Sequence, residues 1–196
     1  KIEKVYVCPG NGGTAKENNI ENILLSLNDF SSLINFVKKE KIDLTVVGPE
    51  GPLVDGIVDE FNKHNLRIFG PSSKYALLEG SKVFSKEFMK NYNIPTADYH
   101  MFSSAKEAKD FIKNKNHPIV IKADGLAAGK GVVVSSTEEE SFRAIDNLLA
   151  SEHSEYIVIE EFLNGQELSA IYICNFKGCS FEIALPWTKD YKSRDE

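Results

Sequence analysis

The stretch Val120 to Val134, VIKADGLAAGKGVVV, constrains the chain more than any other. β-Branched runs lie on both sides of a short, small-residue loop, a pattern that predicts two strands. The loop between them, Asp124-Gly125-Leu126-Ala127-Ala128-Gly129-Lys130-Gly131, is too small and flexible to be core. Gly125, Gly129 and Gly131 admit backbone angles that other residues resist. Exposed N–H groups in such a turn can surround phosphate oxygens. Lys122 and Lys130 supply compact positive charges beside it. The expectation is a β-hairpin lid over a polyphosphate; a plain surface hairpin is the competing reading. A Walker loop is disfavoured, because the GxxxxGK[ST] string followed by a helix is missing.

Ahead of this hairpin the chain reads as alternating strands and helices. Ile2–Cys8 is a predicted strand, followed by the flexible loop Pro9-Gly10-Asn11-Gly12-Gly13-Thr14. Ser31 or Ser32 is placed to cap a helix with Leu33, Phe36 and Val37 on its apolar face. Asp43–Val47 is a strand, and Gly48–Pro52 is a loop after it. Leu53, Val54, Ile57, Val58 and Phe61 share one helical period, with Pro52 in the first turn. Leu66–Phe69 is the next strand. This order predicts a parallel sheet. Ligands of such sheets sit beyond the carboxyl ends of strands, so Glu50 and Asp55 are candidate substrate contacts. Solvated loop acids are the alternative.

Residues 72–92 read as two helices broken at Gly80-Ser81-Lys82, with Ser81 capping the second. Val83, Phe84, Phe88 and Tyr92 give that helix an apolar face. Lys82 in its first turn opposes the helix dipole, a cost that an anion at the same terminus would reverse. Asn93-Ile94-Pro95-Thr96 marks a break. Beyond it come an extended Ala97–Phe102, a helix capped by Ser103 or Ser104 with Ala108, Phe111 and Ile112 inward, and the glycine hairpin. A helix over Thr137–Ala150, buried through Phe142, Ile145, Leu148 and Leu149, precedes a strand at Tyr156–Ile159. The result is a small α+β layer with its helices on one sheet face. Glu160–Glu167 then forms a linker suited to an adenine, or a simple acidic loop. Leu168–Cys174 and Cys179–Leu185 form an antiparallel hairpin around Lys177-Gly178.

Composition narrows the function classes. A net charge of −6 disfavours a nucleic-acid surface. There is no apolar run long enough to span a bilayer and no signal peptide, so the expected location is cytoplasmic, without a membrane partner. Cys8, Cys174 and Cys179 have neither metal spacing nor a disulfide framework, and each reads as a strand residue. His64, His100, His117 and His153 are scattered, without ligand spacing, and read as surface or loop residues. No metal ligand is identifiable. Lys1 opens directly on a strand pattern, and Lys192-Ser193-Arg194-Asp195-Glu196 stops in a polar stretch. Both ends read as cuts in a longer protein.

Several strings, in this order, carry a resemblance: PGNGGT at 9–14, VGPEGPLVDG at 47–56, IFGPS at 68–72, LEGSKVFSKEF at 78–88, IPTADY at 94–99, VIKADGLAAGKGVVV at 120–134 and IVIEEFLNGQE at 157–167. The chain resembles the glycinamide ribonucleotide synthetases, or phosphoribosylamine–glycine ligases, of the ATP-grasp superfamily. The resemblance implies an α/β fold: a truncated, Rossmann-like pre-ATP-grasp domain followed by an incomplete ATP-grasp fold. Residues 1–75 would be the substrate-side domain, with its opening strand and glycine loop missing. Residues 76–99 would be a helical linker, 100–159 the small lid subdomain, and 160–196 the hinge and the start of the large subdomain.

The resemblance also implies ATP with Mg²⁺ or Mn²⁺, and glycine and 5-phosphoribosylamine as partners, in a monomer or weak homodimer. Lys82 and Lys122 look like the lysines that contact ATP phosphates, and Lys122 and Lys130 are the catalytic candidates. Asp124, Gly125, Gly129, Lys130 and Gly131 belong to the covering loop. Glu160, Glu161 and Leu163 belong to the adenine hinge, and Glu167 would hold the ribose. Gly12, Gly13, Glu50 and Asp55 fall on the phosphoribosylamine side. Asp190 and Lys192 would line the substrate or phosphate region, although Asp190-Tyr191-Lys192-Ser193 departs from a family DHKR string. Metal ligands and much of the glycine site would lie past Glu196, and residues 1–196 alone would not catalyse ligation. The alternatives are another ATP-grasp carboxylate–amine ligase or an inactive nucleotide-binding fragment.

Overall fold

The computed structural model describes residues 2–113, 115–126, 131–151, 155–175 and 180–189. Contacts divide the chain into Lys1–Glu161 and Phe162–Glu196. In the first unit, β1 (Val5–Val7) pairs in parallel with β2 (Ile20–Asn22). β3 (Thr45–Val46) pairs in parallel with β4 (Ile68–Phe69). The expected parallel pairing is present, as two separate two-stranded sheets. β2 is an addition to the sequence reading, and β1 and β3 are shorter than their apolar patterns. Cys8 lies just past β1, where its Sγ–H donates to the Leu25 carbonyl (3.3 Å).

The helices around these pairs correct three expectations. α1 (Phe30–Lys39) is capped by Asp29, whose carboxylate accepts from Ser32 N–H at 3.0 Å and from Ser32 Oγ–H at 2.6 Å. Ser31 and Ser32 lie inside the helix, because a carboxylate one turn earlier supplies the stronger acceptor. The single helix expected over 53–61 is two, α2 (Glu50–Val54) and α3 (Ile57–Lys63). Gly56 stands between them at φ +91, a left-handed angle that ends one helix and redirects the next. Glu50 therefore sits in a helical first turn, not in a loop. Ile34, Val37, Ile57, Val58 and Phe61 bury the contact between α1 and α3.

Between the two strand pairs lies a cavity of about 1170 Å³, lined among others by Val5, Tyr6, Val7, Thr45 and Val46. Val5 and Thr45 turn their N–H groups to partner strands, at Asn19 and Arg67. By strand alternation Tyr6 and Val46 turn theirs the other way. Thr45 Oγ1 is buried with no hydrogen-bond partner among the described residues.

α4 (Ser73–Gly80) and α5 (Lys82–Asn91) follow, broken where expected, with Ser81 Oγ accepting from Phe84 N–H at 3.1 Å. The expected apolar face of α5 is not a core face. Phe84 and Tyr92 are exposed, while Phe88 stacks against both. The buried residue of α5 is Lys86.

The next layer is a complete four-stranded sheet in the order β5-β8-β6-β7, antiparallel throughout. Its strands are β5 (Tyr99–Phe102), β6 (Ile119–Ala123), β7 (Val132–Ser135) and β8 (Ile157–Glu161). α6 (Ala105–Ile112), capped by Ser104, and α7 (Glu138–Leu149), capped by Thr137, cover one face. Ile119, Ile121, Ile157 and Ile159 meet Ala108, Ile112, Ala144, Ile145 and Leu148 there. Period 2 then sends Val120, Lys122, Val158 and Glu160 to the opposite face.

The second unit contains β9 (Leu168–Ser169) paired antiparallel with β12 (Thr188–Lys189), and β10 (Tyr172–Asn175) paired antiparallel with β11 (Ser180–Ala184). The expected hairpin is present. Its turn at 176–179, and with it Cys179, lies outside the described residues.

Candidate functional site

The sheet register builds the site. Val120 stands opposite Glu160 and Lys122 opposite Val158. Lys122 and Glu160 are thus diagonal neighbours on the helix-free face, within reach of a long side chain. Lys122 Nζ donates to Glu160 Oε2 at 2.9 Å. On the other side, Tyr99 stands opposite Glu160. Lys86 Nζ reaches the same Glu160 Oε2 at 3.2 Å and lies 5.3 Å from the Tyr99 ring centre.

α5 places a second lysine one turn earlier. Lys82 Nζ donates to the Gly125 carbonyl at 2.8 Å, tying the helix to the start of the glycine loop. Gly125 has φ +86, the left-handed angle that favours glycine there. Ala123 N–H donates to the Gly131 carbonyl at 2.7 Å, which fixes the other end of the loop. Gly131 is buried. Gly129 and Lys130 lie outside the described residues.

The anion at the N-terminus of α5 is the protein's own Asp124. Its carboxylate accepts from Val83 N–H at 3.1 Å and from Ser81 Oγ–H at 3.2 and 3.3 Å. The lysine–dipole conflict read from the sequence is thereby relieved, because a fixed carboxylate meets the positive helix end. Burial holds the Lys82 ammonium below the usual lysine range; Asp124 pulls it back up and neighbouring Lys122 lowers it further. Lys82, Lys86 and Lys122 stand against Asp124, Glu160 and, beside Lys82, Glu79. Ammonium groups gathered in this way offer charged donors that suit a phosphate.

Not all expected residues join this cluster. Glu161 is exposed, and its carboxylate accepts from Asp98 N–H at 2.9 Å, while its own N–H donates to the Asp98 carbonyl at 3.0 Å. Gly12 and Gly13 lie in an exposed loop that Asn11 organises, its Oδ1 accepting from Gly13 and Thr14 N–H at 2.7 and 3.0 Å. Glu50 and Asp55 are exposed at opposite ends of α2, and among the described residues no hydrogen bond or ion pair links either to the Gly12–Gly13 loop. Leu163 and Glu167 belong to the second unit, where both are exposed. Asp190, Lys192 and the neighbouring Tyr191 and Ser193 lie outside the described residues.

The residue that the sequence reading missed is Lys86. Its signal was its spacing: four positions after Lys82, it shares that lysine's helix face and not the face of Phe84 and Phe88. Among the described residues no group of three or more His, Cys, Asp or Glu side chains stands together as a metal site. No described helix is long and apolar enough to cross a membrane.

Comparisons with known proteins extend over both parts of the chain. Residues 1–79 match the model of the phosphoribosylglycinamide synthetase N domain, and residues 80–196 match that of the phosphoribosylglycinamide synthetase ATP-grasp (A) domain. The phosphoribosylamine–glycine ligase of Clostridium acetobutylicum is 48% identical over 195 residues, 97% of this chain and 46% of that protein. The ligase of Escherichia coli K12 is 49% identical over 174 residues, 87% of this chain and 41% of that protein. The crystal structure of the Thermotoga maritima phosphoribosylamine–glycine ligase superposes with a TM-score of 0.73 at 34% identity, covering 96% of this chain and 44% of that one. The chain thus spans less than half the length of the curated relatives it matches. With both domain models matched in order and the lysine cluster inside the ATP-grasp match, the chain belongs to the phosphoribosylglycinamide synthetase family.

Proposed function

We propose that the protein takes part in ATP-dependent ligation of glycine to 5-phosphoribosylamine, giving glycinamide ribonucleotide, ADP and phosphate in purine synthesis, in the cytoplasm. The observation that carries this reading is the cluster of Lys82, Lys86 and Lys122, with Lys82 on the Gly125 carbonyl and the other two on Glu160. High identity to phosphoribosylamine–glycine ligases supports the choice of substrates.

In this reading Lys82 and Lys122 bind phosphate oxygens of ATP. Glycine's carboxylate attacks the γ-phosphorus, the bond to the bridging oxygen of ADP breaks, and glycyl phosphate forms. The phosphoribosylamine nitrogen then attacks the glycyl carbonyl carbon and phosphate leaves with the carbon–oxygen bonding pair. Phosphorylation converts a poor oxide leaving group into a good one. The chain's own task is positioning and charge stabilisation. The loop from Asp124 to Gly131, including Gly129 and Lys130, excludes water from an acyl phosphate that water would hydrolyse. Main-chain groups of Glu161 and Leu163 are assigned to adenine and Glu167 to ribose hydroxyls. Gly12, Gly13, Glu50 and Asp55 are assigned to phosphoribosylamine, and Asp190 and Lys192 to the substrate or phosphate region. A divalent cation, Mg²⁺ or Mn²⁺, neutralises phosphate charge in such transfers. The described residues supply no cluster to hold it, and no step is assigned to a metal ligand of this chain.

The test is product formation from freshly generated phosphoribosylamine, glycine and Mg-ATP by the protein at its natural length. Hydroxylamine is added in a parallel reaction to trap the acyl phosphate. Ligated product that requires all three substrates, with glycine hydroxamate in the trapped reaction, is expected. ADP release with a different carboxylic acid, and none with glycine, would overturn the reading.

A further inference from the structure

The two lysines on Glu160 are not equivalent. Its side chain is only 6% exposed, and a single oxygen, Oε2, receives both cations. The Lys86 side chain is 8% exposed, against 28% for Lys122. An ammonium group has three N–H donors. Lys86 Nζ donates to Thr96 Oγ1 at 2.7 Å and to the Ala97 carbonyl at 3.3 Å, and it forms an ion pair with Glu160 at 3.2 Å. Lys86 is therefore engaged by three protein groups and largely closed off from solvent. Lys122 reaches the same carboxylate from the more open side, through one hydrogen bond of 2.9 Å.

This asymmetry has a consequence for the nucleotide reading on which it rests. Lys122 keeps two N–H donors beyond the one on Glu160, but its single charge must then serve two anions, the buried carboxylate and a phosphate. Leaving a buried carboxylate without a counter-ion is strongly unfavourable. We propose that Lys86 is a positioning residue: it is the permanent counter-ion of Glu160, and its presence leaves the charge of Lys122 available to a nucleotide phosphate. Without Lys86, Glu160 and the phosphate compete for one lysine. Lys86 itself touches neither substrate nor phosphate. The Lys82/Lys86 spacing on α5 then has a division of labour, with Lys82 at the Gly125 carbonyl and Lys86 at Glu160.

The test is a two-background comparison in the protein at its natural length, with ADP as the probe in calorimetric titrations. The effect of Lys86→Met is measured once with Glu160 present and once with Glu160→Gln, which removes the competing charge. With Glu160 present, ADP affinity should fall about tenfold or more, the scale of one lost charged hydrogen bond. In the Glu160→Gln background the same substitution should change affinity by less than about twofold, because the coupling between the two sites is what the cycle isolates. A purely structural role would give equal losses in both backgrounds, or a loss that follows melting temperature, and either result would overturn the proposal. If Lys86→Met melts below the assay temperature, Lys86→Gln replaces it, since its amide can still meet Thr96, and the comparison is unchanged. Wild-type protein that binds no ADP would remove both the nucleotide reading and this inference. Wild-type binding with equal losses in both backgrounds would remove this inference alone.

Discussion

Around β6 the sheet is continuous, with four strands in register and two helices over one face. Around β1 and β3 it is two separate pairs, whose inward-turned main chain borders a large cavity. The helix-backed sheet holds Lys122 and Glu160 at fixed register positions, so the charged cluster is set by strand pairing. In the N-terminal part the candidate residues Gly12, Gly13, Glu50 and Asp55 sit in exposed loops and helix ends. The contrast teaches that the charged cluster is preorganised by the core beneath it, whereas the other candidates depend on local turns.

Core truncation should separate the two regions most strongly. Phe61→Ala should cost about 3–5 kcal/mol and Ile121→Ala about 2–5 kcal/mol, since both side chains are fully buried. Amide hydrogen exchange reads each region on its own. Phe61→Ala should speed exchange in α1 and α3 while β6 and β8 stay protected, and Ile121→Ala should do the reverse. Uniform acceleration across both by either variant would break the comparison.

A smaller effect is expected where α4 ends against α2. A Cβ added at Gly80 would lie 2.7 Å from Val54 Cγ2. Gly80→Ala should therefore destabilise by about 1–3 kcal/mol, despite alanine's better helix propensity. A rise in melting temperature would show that this junction has more slack than the four-stranded layer. Next, Asp124→Ala removes the carboxylate at the start of α5 and should cost about 0.5–2 kcal/mol, read from chemical denaturation. No loss would mean that Ser81 alone caps α5.

The smallest effect is a pH dependence in the N-terminal part. Asp59 accepts from Ser73 N–H at 2.8 Å, and the backbone and side-chain hydrogen bonds of Ser73 hold its carboxyl below the usual range. A pKa lower in the folded state means that the unfolded chain binds more protons, so stability rises with pH. The Asp59 contribution is complete above the unfolded value of 3.8 and disappears as pH falls through the lower folded value. The stability difference between wild type and Asp59→Asn should persist at pH 6 and shrink below about pH 4. A difference that grows in acid would contradict this sign.

Legibility in the sequence followed periodicity and failed where tertiary contacts chose between equals. The β-branched runs around the glycine loop identified β6 and β7, while the face on which Lys122 stands became visible only in the alternating burial of β6. The helix break at Ser81 was legible from local chemistry. β2 was missed because Ile20-Glu21-Asn22 has a single apolar residue and gains strand geometry only by pairing with β1. The split at Gly56 was hidden because the apolar spacing continues unbroken across it. Lys86 was missed because a lysine on a helix normally reads as solvated; only Glu160, more than seventy positions away, makes its burial favourable. Phe84 and Tyr92 misled for the converse reason, as aromatic spacing alone does not say that a face is covered.

The central claim is that the face of β6 and β8 away from the helices holds the phosphates of a nucleotide. The direct measurement is calorimetric titration of the protein at its natural length, wild type and Lys122→Met, with ATP and with adenosine. The account predicts that Lys122→Met weakens ATP binding by about 10- to 150-fold, the scale of one charged hydrogen bond, and leaves adenosine binding unchanged. Equal affinity of both proteins for ATP, or an equal loss for ATP and adenosine, would contradict it.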